Sequence, residues 1–549
     1  MTGPIGSHIP YNSSPASAIN SGSGSNLQLR VIFTNDIHGR EDEFNRFGTD
    51  CVPDDYQNQT CYGGVARMKT VFDSLRSGFK NTLLFDAGDQ FQGTMFYSHF
   101  KGNSTARFMN ALGYDGMAIG NHEFDDGPSH LARFFAQLNF PVVCSNLDLT
   151  EAPDLDRWVK PYVLFPEYEL AIVGFVTVTT QFISNPGRTV KFLDPAESVQ
   201  KYIDLLRAKG YKRFIALSHN GYKQDQALAE RTEGLAMIVG GHSHTYLSTD
   251  HPNDPDSKGP YPTKVLNQGG RYTYIVQAKK FGEYIGYIDM ELTSDGDMAW
   301  LAGQPIHMTT AIPKDPYFSR QVSQWRESFD RIGGFSIGEL EVDLPQEPCK
   351  VGECLLGNMV TDAMLEVGQF YKPQIALMNS DGMRSGMRKG NVTINRLINV
   401  LPNDSYLVHL NMTGKEIRDT LVGAVNEIHP VDQKPVTVFI QFAGLKMEFN
   451  FQAKTIKSIS VRASPAPSSS SGSQSTNDPA ANGDSQWVPL DDAATYSVIS
   501  TDFITKGGDH LFDKPRPATN ITKMYNMLYE YAKIRPQLRP QLDQRMVSV

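Results

Sequence analysis

The stretch Gly120-Asn121-His122-Glu123-Phe124-Asp125 follows the apolar residues 117–119 and is therefore predicted to lie where a buried strand ends. It combines an amide that binds cations through its oxygen, an imidazole that titrates near neutral pH, and carboxylates that could orient the imidazole or transfer protons. Taken alone, such a combination is common in proteins and does not mark a site. Its significance depends on which residues follow the other predicted strands.

The same pattern occurs earlier in the chain. Leu27–Thr34 alternates and then becomes fully apolar, which predicts a strand entering a buried sheet, and Asp36 and His38 come directly after it. Two residues apart at a strand end, they are predicted to point to the same side and bind one cation, although Asp-x-His is also common in surface turns. Residues 81–85 predict the next strand, and Asp89 follows among small residues that let the backbone approach a ligand.

Three histidines come after two later predicted strands. His219 follows residues 212–217, and His242 and His244 follow Leu235–Val239. A single histidine after a strand is usually an ordinary polar residue, but these three share the carboxyl-end position at which open α/β sheets place their sites. The remaining histidines lack that setting and are predicted to be structural or surface residues: His99, His130, His251, His307, His409, His429 and His510.

Together these strand ends supply oxygen and nitrogen ligands for two cations that share one carboxylate: Asp36, His38, Asp89, Asn121, His219, His242 and His244. The set contains no cysteine and includes an amide, so it suits zinc, manganese or iron more than a structural zinc cluster. Two-metal centres of this kind hydrolyse phosphate esters, because they stabilise both the attacking and the leaving oxygen.

Composition limits the alternatives. A chain of 549 residues exceeds what one hydrophobic core normally serves, which predicts two domains. The net charge of −9 argues against binding to a nucleic-acid polymer, and no run of about 18 apolar residues predicts a transmembrane segment. Residues 1–26 are rich in Gly, Ser and Asn and are predicted to be disordered. They lack the apolar core of a secretory signal, so the export route stays open.

Cysteines and sequons indicate the compartment. Four of the five cysteines form two close pairs in loop-like stretches, and disulfides in an oxidising compartment are favoured over four reduced thiols: Cys51/Cys61 and Cys349/Cys354, with Cys144 left over. Sequons for N-glycosylation add mild support for an extracellular or secretory location: Asn12, Asn58, Asn103, Asn391, Asn403, Asn411 and Asn520.

In this order, the motifs Asn-Asp-x-His, Gly-Asp, Gly-Asn-His-Glu, a later His and Gly-His-Ser-His resemble those of the calcineurin-like metallophosphatases. Within that superfamily, Asp86-Ala87-Gly88-Asp89-Gln90-Phe91-Gln92-Gly93-Thr94 is similar to the 5′-nucleotidase and apyrase family. The resemblance continues through Gly357-Asn358, residues 379–384 and Gly507-Gly508-Asp509 and so covers nearly the whole chain after Leu27. It implies a mixed α/β (α+β) fold. The implied parts are a four-layer α/β/β/α metallophosphatase domain at 27–314, a linking helix at 315–334, and an α/β substrate-binding domain at 335–549 with a low-complexity loop at 463–485.

The resemblance also implies roles for the candidate residues. One metal is held by Asp36, His38, Asp89 and His244, and the other by Asp89, Asn121, His219 and His242. His122, paired with Asp125, stabilises charge on the phosphate and the leaving oxygen, whereas Glu123 has no direct role.

Residues 315–334 carry apolar side chains at helical spacing: Phe318, Val322, Trp325 and Phe329. Such a stripe predicts packing against a core, and the resemblance implies a helix that links two domains. Both interpretations stay open at this point.

The substrate pocket implied by the resemblance contains Asn379, Arg384, Phe503, Asp509, Lys350 and Asn403. Arg384 is expected to bind phosphate, Asp509 the ribose hydroxyls, and Phe503 the face of the base. The chain departs from the family pattern at two of these positions, because Asn403 replaces a second stacking aromatic and Lys350 replaces an arginine. Both changes predict weaker recognition of the nucleotide.

The implied activity is the removal of phosphate from nucleoside 5′-monophosphates with the help of two divalent metal ions. Zinc is the first candidate for these ions, and manganese or another transition metal is the second. The alternatives are an apyrase that hydrolyses ATP and ADP, and a nucleotide-binding protein without catalysis. The resemblance also leaves a homodimer open.

Overall fold

The computed structural model describes residues 25–250, 254–463 and 487–549. The segment 1–26, predicted to be disordered, lies outside the described residues except for its last two positions. The low-complexity stretch 463–485 lies outside them except for Ala463, and His251 is also not among them.

Two sheets built mainly from parallel strands form the centre of the first half of the chain. The predicted strand Leu27–Thr34 is alternately buried at its start and fully buried at its end. It pairs in parallel with Thr82–Asp86 and antiparallel with Tyr284–Leu292. In spatial order, this sheet contains Met298–His307, Tyr284–Leu292, Leu27–Thr34, Thr82–Asp86, Gly116–Ala118, Val142–Val143 and Val159–Lys160.

The second sheet contains the strands that precede the candidate histidines. Leu170–Val176, Arg213–His219, Leu235–Val239 and Tyr272–Val276 run parallel to one another. In spatial order, the strands are Thr263–Leu266, Tyr272–Val276, Leu235–Val239, Arg213–His219, Leu170–Val176 and Tyr162–Phe165. Two short ladders accompany the sheets: Lys191–Phe192 with Leu147–Asp148, and Phe44–Asn45 with Cys61–Tyr62.

The two sheets pack face to face, and Phe33 of the first and Leu217 of the second are fully buried in a shared core. Helices cover both outer faces, which gives the predicted order of layers α/β/β/α. The helices of the first half are Pro53–Gln57, Val65–Ser77, Met95–Phe100, Asn103–Leu112, Pro128–Phe135, Pro153–Asp156, Thr180–Ile183, Pro195–Arg207, Tyr222–Arg231 and Pro316–Gly333.

The helix Pro316–Gly333 contacts both halves of the chain. Asp315 caps it, and the Asp315 side chain accepts a hydrogen bond from a backbone N–H of the first turn. Asp330, near its end, accepts a hydrogen bond from Asn395 of the second half at 3.0 Å. Three residues of the predicted apolar stripe are buried in the core of the first half: Phe318, Val322 and Phe329. The helix therefore packs against the core of the first half, as one interpretation predicted, and it also contacts the second half, as a linking helix would.

The second half is also mixed α/β. Its five-stranded sheet contains, in spatial order, Ile440–Ala443, Ile375–Asn379, Thr495–Thr501, Tyr406–Thr413 and Thr519–Lys523. Two smaller sheets contain Gly390–Thr393, Ser336–Leu340 and Gln537–Leu538, and Trp487–Pro489, Thr455–Arg462, Leu445–Asn450 and Met546–Ser548. The helices are Leu355–Val367, Ile394–Val400, Gly414–Asn426, Asp502–Thr505 and Met524–Ile534.

Both predicted disulfides are formed, between Cys51 and Cys61 and between Cys349 and Cys354, while Cys144 is a buried free thiol. Among the described residues, no helix combines the length and the apolar character needed to cross a bilayer.

Candidate metal centre and adjoining cavity

The candidate ligands lie at the carboxyl ends of the strands: His219 is the last residue of its strand, and the others lie on the loops that follow. Several have left-handed backbones. The first strand ends at Thr34, so Asp36 and His38 are loop residues, with φ of 53° and 52°. The side chains of Asp36 and His38 converge because the backbone turns at both residues. The prediction had attributed this convergence to the alternation of side chains along a strand. The same conformation recurs at Asp89, His242 and His244, with φ of 59°, 75° and 52°. Non-glycine residues rarely adopt it, and it often marks a functional site.

Asp36, His38 and His244 form the first of two candidate metal-binding clusters. The Nε2 atoms of His38 and His244 are 3.2 Å apart, and His244 Nε2 is 3.3 Å from an Asp36 carboxylate oxygen. The Nδ1 of His38 donates to the carbonyl of Phe91 at 3.0 Å, so its Nε2 presents a lone pair to the cluster. Three ligand atoms thus face one point.

Asp89, His219 and His242 form the second cluster. His219 Nδ1 donates to the carbonyl of Ala87 at 2.7 Å, so its Nε2 faces the Asp89 carboxylate, 3.1 Å away. The same Asp89 oxygen is 3.7 Å from His38 Nε2 of the first cluster. Asp89 therefore lies between the two clusters, as a bridging carboxylate would.

An unpaired amide oxygen and the mixed donors of this region fit two cations. Asn121 Oδ1 is buried and has no hydrogen-bond partner, whereas His219 Nε2 has the Asp89 carboxylate beside it. A buried acceptor without a donor is costly unless a cation or another partner completes it. The mixed nitrogen and oxygen donors also suit divalent transition metals. The residues present therefore fit two divalent metal ions.

Burial sets the charge of most of the ligands. It lowers the pKa of His242 to about 3 and holds the pKa of His38 and His244 well below the usual value, so these imidazoles are neutral, as metal ligands must be. It raises the pKa of Asp36 to about 7. Burial opposes the charged form of His219 as well, but the carboxylates of Asp89 and Asp36 raise the pKa of His219 to about 10.

Glu123 holds together the loops that carry two of the ligands. Its fully buried carboxylate accepts backbone N–H bonds from Asp89 and Gly120 at 2.9 and 2.6 Å through one oxygen. The other oxygen accepts from Gln90 and Phe91 at 2.7 and 3.1 Å. Sequence reasoning gave Glu123 no direct role, since a spacing pattern does not reveal a carboxylate that binds backbone.

His122 lies beside the clusters without belonging to them. Its Nδ1 is 2.7 Å from Asp125, whose other oxygen accepts a hydrogen bond from Ser184 at 2.7 Å. Burial opposes its charged form, yet Asp125 and Asp89 raise the pKa of His122 above the usual value. An imidazole held in this way presents its Nε2 towards the cavity.

Arg384 of the second half reaches this point. One of its terminal nitrogens lies 3.2 Å from His122 Nε2 and 3.3 Å from His38 Nε2. The cavity at this junction has a volume of about 1270 Å³ and is lined by both halves of the chain. All six predicted pocket residues line it: Asn379, Arg384, Phe503, Asp509, Lys350 and Asn403.

Another part of the cavity wall is a polar network. Asn379 donates to one oxygen of Asp509 at 2.7 Å, and Thr437 donates to the other at 3.2 Å. Burial and the nearby Asp381 raise the pKa of Asp509 to about 6. Phe503 packs closely against Gly508, where a Cβ atom would be 2.5 Å from the ring. One ring face is therefore covered by backbone.

Two of the predicted pocket residues, Lys350 and Asn403, also contact side chains that the sequence did not single out. Lys350 and Lys280 share the carboxylate of Glu347, at 3.0 and 3.1 Å. Asn403 accepts a hydrogen bond from Gln92 of the first half. Lys280 comes soon after the strand Tyr272–Val276, a position that could have singled it out. Gln92 stands in the conspicuous 86–94 stretch, but an amide there has no distinguishing pattern.

Comparisons with known proteins agree with this architecture. Residues 29–246 match the family model of the calcineurin-like phosphoesterases, and residues 336–514 match that of the 5′-nucleotidase C-terminal domain. The chain is 31% identical to a 5′-nucleotidase of Diplobatis ommata over 514 residues, which is 90% of this chain and 84% of the relative. It is 30% identical to an apyrase of Tabanus yao over 524 residues, 92% of this chain and 91% of the relative. A solved structure of a 5′-nucleotidase precursor from Thermus thermophilus superposes with a TM-score of 0.83 at 32% identity, covering 95% of this chain and 99% of that one.

Proposed function

Because the chain belongs to the 5′-nucleotidase family, we propose that it is a metal-dependent phosphohydrolase that converts nucleoside 5′-monophosphates into nucleoside and inorganic phosphate. The observation that carries this proposal is the convergence of His122, Arg384 and both metal clusters at one end of a cavity. Phe503 and Asp509 line the same cavity. A phosphate placed at the first end would leave its nucleoside to occupy the space beyond it.

The phosphate end supplies the chemistry. Two divalent cations, zinc in this proposal with manganese as the other candidate, would activate water and neutralise charge on the phosphoryl oxygens. The ligands are Asp36, His38, Asp89 and His244 for one cation, and Asp89, Asn121, His219 and His242 for the other. Arg384 donates hydrogen bonds to the phosphoryl oxygens through its planar guanidinium.

His122 acts on the leaving oxygen. The bond between phosphorus and the 5′-oxygen breaks as the water oxygen bonds to phosphorus, so negative charge develops on the 5′-oxygen. His122 Nε2 stabilises that charge and the phosphate, because Asp125 holds Nδ1 and raises the pKa of the ring. The 5′-oxygen takes up one proton given up by the attacking water, while the other water proton stays with the phosphate, so the nucleoside leaves with a neutral 5′-hydroxyl.

The other end binds the nucleoside. Asp509, held by Asn379, accepts hydrogen bonds from the ribose hydroxyls, and the ring face of Phe503 that is not against Gly508 stacks on the base. Lys350 adds positive charge near the phosphate. Asn403 supplies no ring, so the base has one aromatic face in place of two.

The proposed domain division follows the prediction: metal domain 27–314, linking helix 315–334 and substrate domain 335–549. The two disulfides support an extracellular or secretory location. A homodimer stays a prediction. The proposed reaction does not depend on it, because one chain supplies both metal clusters, His122 and Arg384.

Phosphate release from AMP, ADP and ATP tests the proposal. The protein is stripped of metal, reloaded with zinc or manganese, and assayed with each nucleotide at equal concentration. We expect kcat/KM for AMP to exceed that for ADP and ATP at least tenfold. Absence of release from every nucleotide by the metal-loaded protein would contradict hydrolysis itself.

An apyrase is the second candidate. The similarity to the Tabanus yao apyrase extends over 92% of this chain. The cavity also carries Lys350 and Lys280 beside Arg384, which would suit additional phosphates. Faster release from ADP and ATP than from AMP would favour this activity.

A further inference from the structure

Gln92 connects the metal region to two residues of the second half. It is 2% exposed and lies in the loop between Thr82–Asp86 and Met95–Phe100. Its Oε1 accepts a hydrogen bond from Nε of Arg384 at 2.9 Å, and its Nε2 donates to Oδ1 of Asn403. Both ends of one buried amide are therefore used for contacts with residues about 300 positions away in sequence.

The first contact determines the direction of the Arg384 guanidinium. This group is planar, so a fixed Nε fixes the plane and the directions of both terminal nitrogens. One terminal nitrogen then lies 3.2 Å from Nε2 of His122, and the other is 3.4 Å from the carbonyl of Asp381. Without Gln92, Arg384 would lose its 2.9 Å hydrogen bond and keep only the longer contacts to His122, His38 and the Asp381 carbonyl.

The second contact determines which end of the Gln92 amide faces Arg384. A glutamine amide can turn over and exchange its oxygen and nitrogen, and Arg384 requires the oxygen because a guanidinium only donates. Asn403 Oδ1 accepts from the nitrogen and so holds the oxygen towards Arg384. A phenylalanine or leucine at position 403 could not do this.

We propose that Gln92 is a positioning residue that aims Arg384 at the phosphate, and that Asn403 acts on the reaction through Gln92. The inference rests on the proposed phosphohydrolase function for its reaction, but its structural part concerns phosphate binding alone. It assigns Asn403, predicted from the resemblance to face the nucleotide, to the phosphate end of the cavity.

Phosphate affinity in a double-mutant cycle tests this. Q92M and N403L keep the side-chain size and remove the polar atoms. Titration calorimetry with inorganic phosphate on the zinc-loaded full chain should show affinity about 10- to 100-fold weaker in Q92M, as expected for a lost hydrogen bond to a charged group. N403L should weaken it about 3- to 10-fold, because only the orientation of Gln92 is lost. In the Q92M background, N403L should have no further effect.

A matched pair controls for general damage. The effects of Q92M and F503A on KM for AMP should multiply in the double variant, because Phe503 is proposed to bind the base whereas Gln92 acts on the phosphate through Arg384. Metal content and melting temperature of each variant show whether the centre is intact. A loss of active protein would lower kcat and leave the phosphate affinity of the remaining protein unchanged.

Two results would overturn the proposal: N403L weakening phosphate binding as much in Q92M as in the parent, or N403L leaving phosphate binding unchanged. The second is decisive even if Q92M does not fold. If Asn403 contacts only the base, N403L will raise KM for AMP without affecting inorganic phosphate, which has no base. If the parent binds phosphate but releases none from AMP, the proposed function fails while this test still applies.

Discussion

Replacing Glu123 by glutamine should damage the metal centre without touching a metal ligand. The carboxylate accepts four backbone N–H bonds, two at each oxygen, from the loops that carry Asp89 and Asn121. In E123Q one oxygen becomes an NH₂ group that faces two N–H donors. Two hydrogen bonds to a charged acceptor are then lost, at about 1.5–3 kcal/mol each, or about 3–6 kcal/mol in total. That is a large fraction of the roughly 5–15 kcal/mol that stabilises a typical domain.

The measurements are thermal unfolding, bound metal and hydrolysis. For a domain of this size the melting temperature should fall by on the order of 10 °C, and metal affinity should fall about 10- to 100-fold as the Asp89 loop loosens. Glu41 provides the control, since it is also buried, but Ser104 and Thr105 both donate to one of its oxygens and the other is unpaired. E41Q can keep both bonds. An E123Q protein with unchanged melting temperature and metal affinity would refute the reasoning.

Three further outcomes are expected. H122A should lower kcat about 100- to 10,000-fold with bound metal unchanged, because His122 stabilises charge on the phosphate and lies outside both clusters. The control is H99A, which changes an exposed histidine of the same half of the chain. Chelation should lower the melting temperature as well as abolish activity, with zinc restoring both, because metal binds the folded chain preferentially. Burial raises the pKa of Glu41 to about 8, so the folded chain holds a proton that the unfolded chain releases near pH 4.5. The stability this contributes is lost as pH rises between these values, at about 1.4 kcal/mol per pH unit, and urea unfolding of E41Q should lack that slope.

The candidate metal ligands could be identified from sequence because each follows an apolar strand. The carboxyl ends of parallel strands meet at one edge of a sheet, so the apolar runs were enough to place Asp36, Asp89 and Asn121 together. His219 ends a strand of the second sheet, and only the family resemblance implied that the two sheets present this edge to the same site. Their local conformation could not be predicted in the same way. Hydrophobic periodicity shows that a strand ends, but not that Asp36 then turns into the left-handed region.

Contacts between the halves were the least predictable part. Arg384 meets His38 and His122 across more than 260 residues of sequence, and Gln92 meets Asn403 across 311. No local pattern encodes such a pair, because it depends on how the cores of the two halves are placed relative to each other. Asn403 is an example. The family pattern showed only that an aromatic ring is missing at this position, whereas in the structure the Asn403 side chain accepts a hydrogen bond from Gln92.

The left-handed backbone at five candidate ligands affects how substitutions there should be interpreted. At Asp36, His38, Asp89, His242 and His244, alanine removes the ligand and retains the unfavourable conformation, whereas glycine removes the ligand and relieves it. In a saturation library sorted for cellular abundance, glycine should therefore be among the best-tolerated residues at these five positions. In a library sorted for activity it should rank among the worst. A contrast between the two maps would identify positions where the chain gives up folding stability for catalysis.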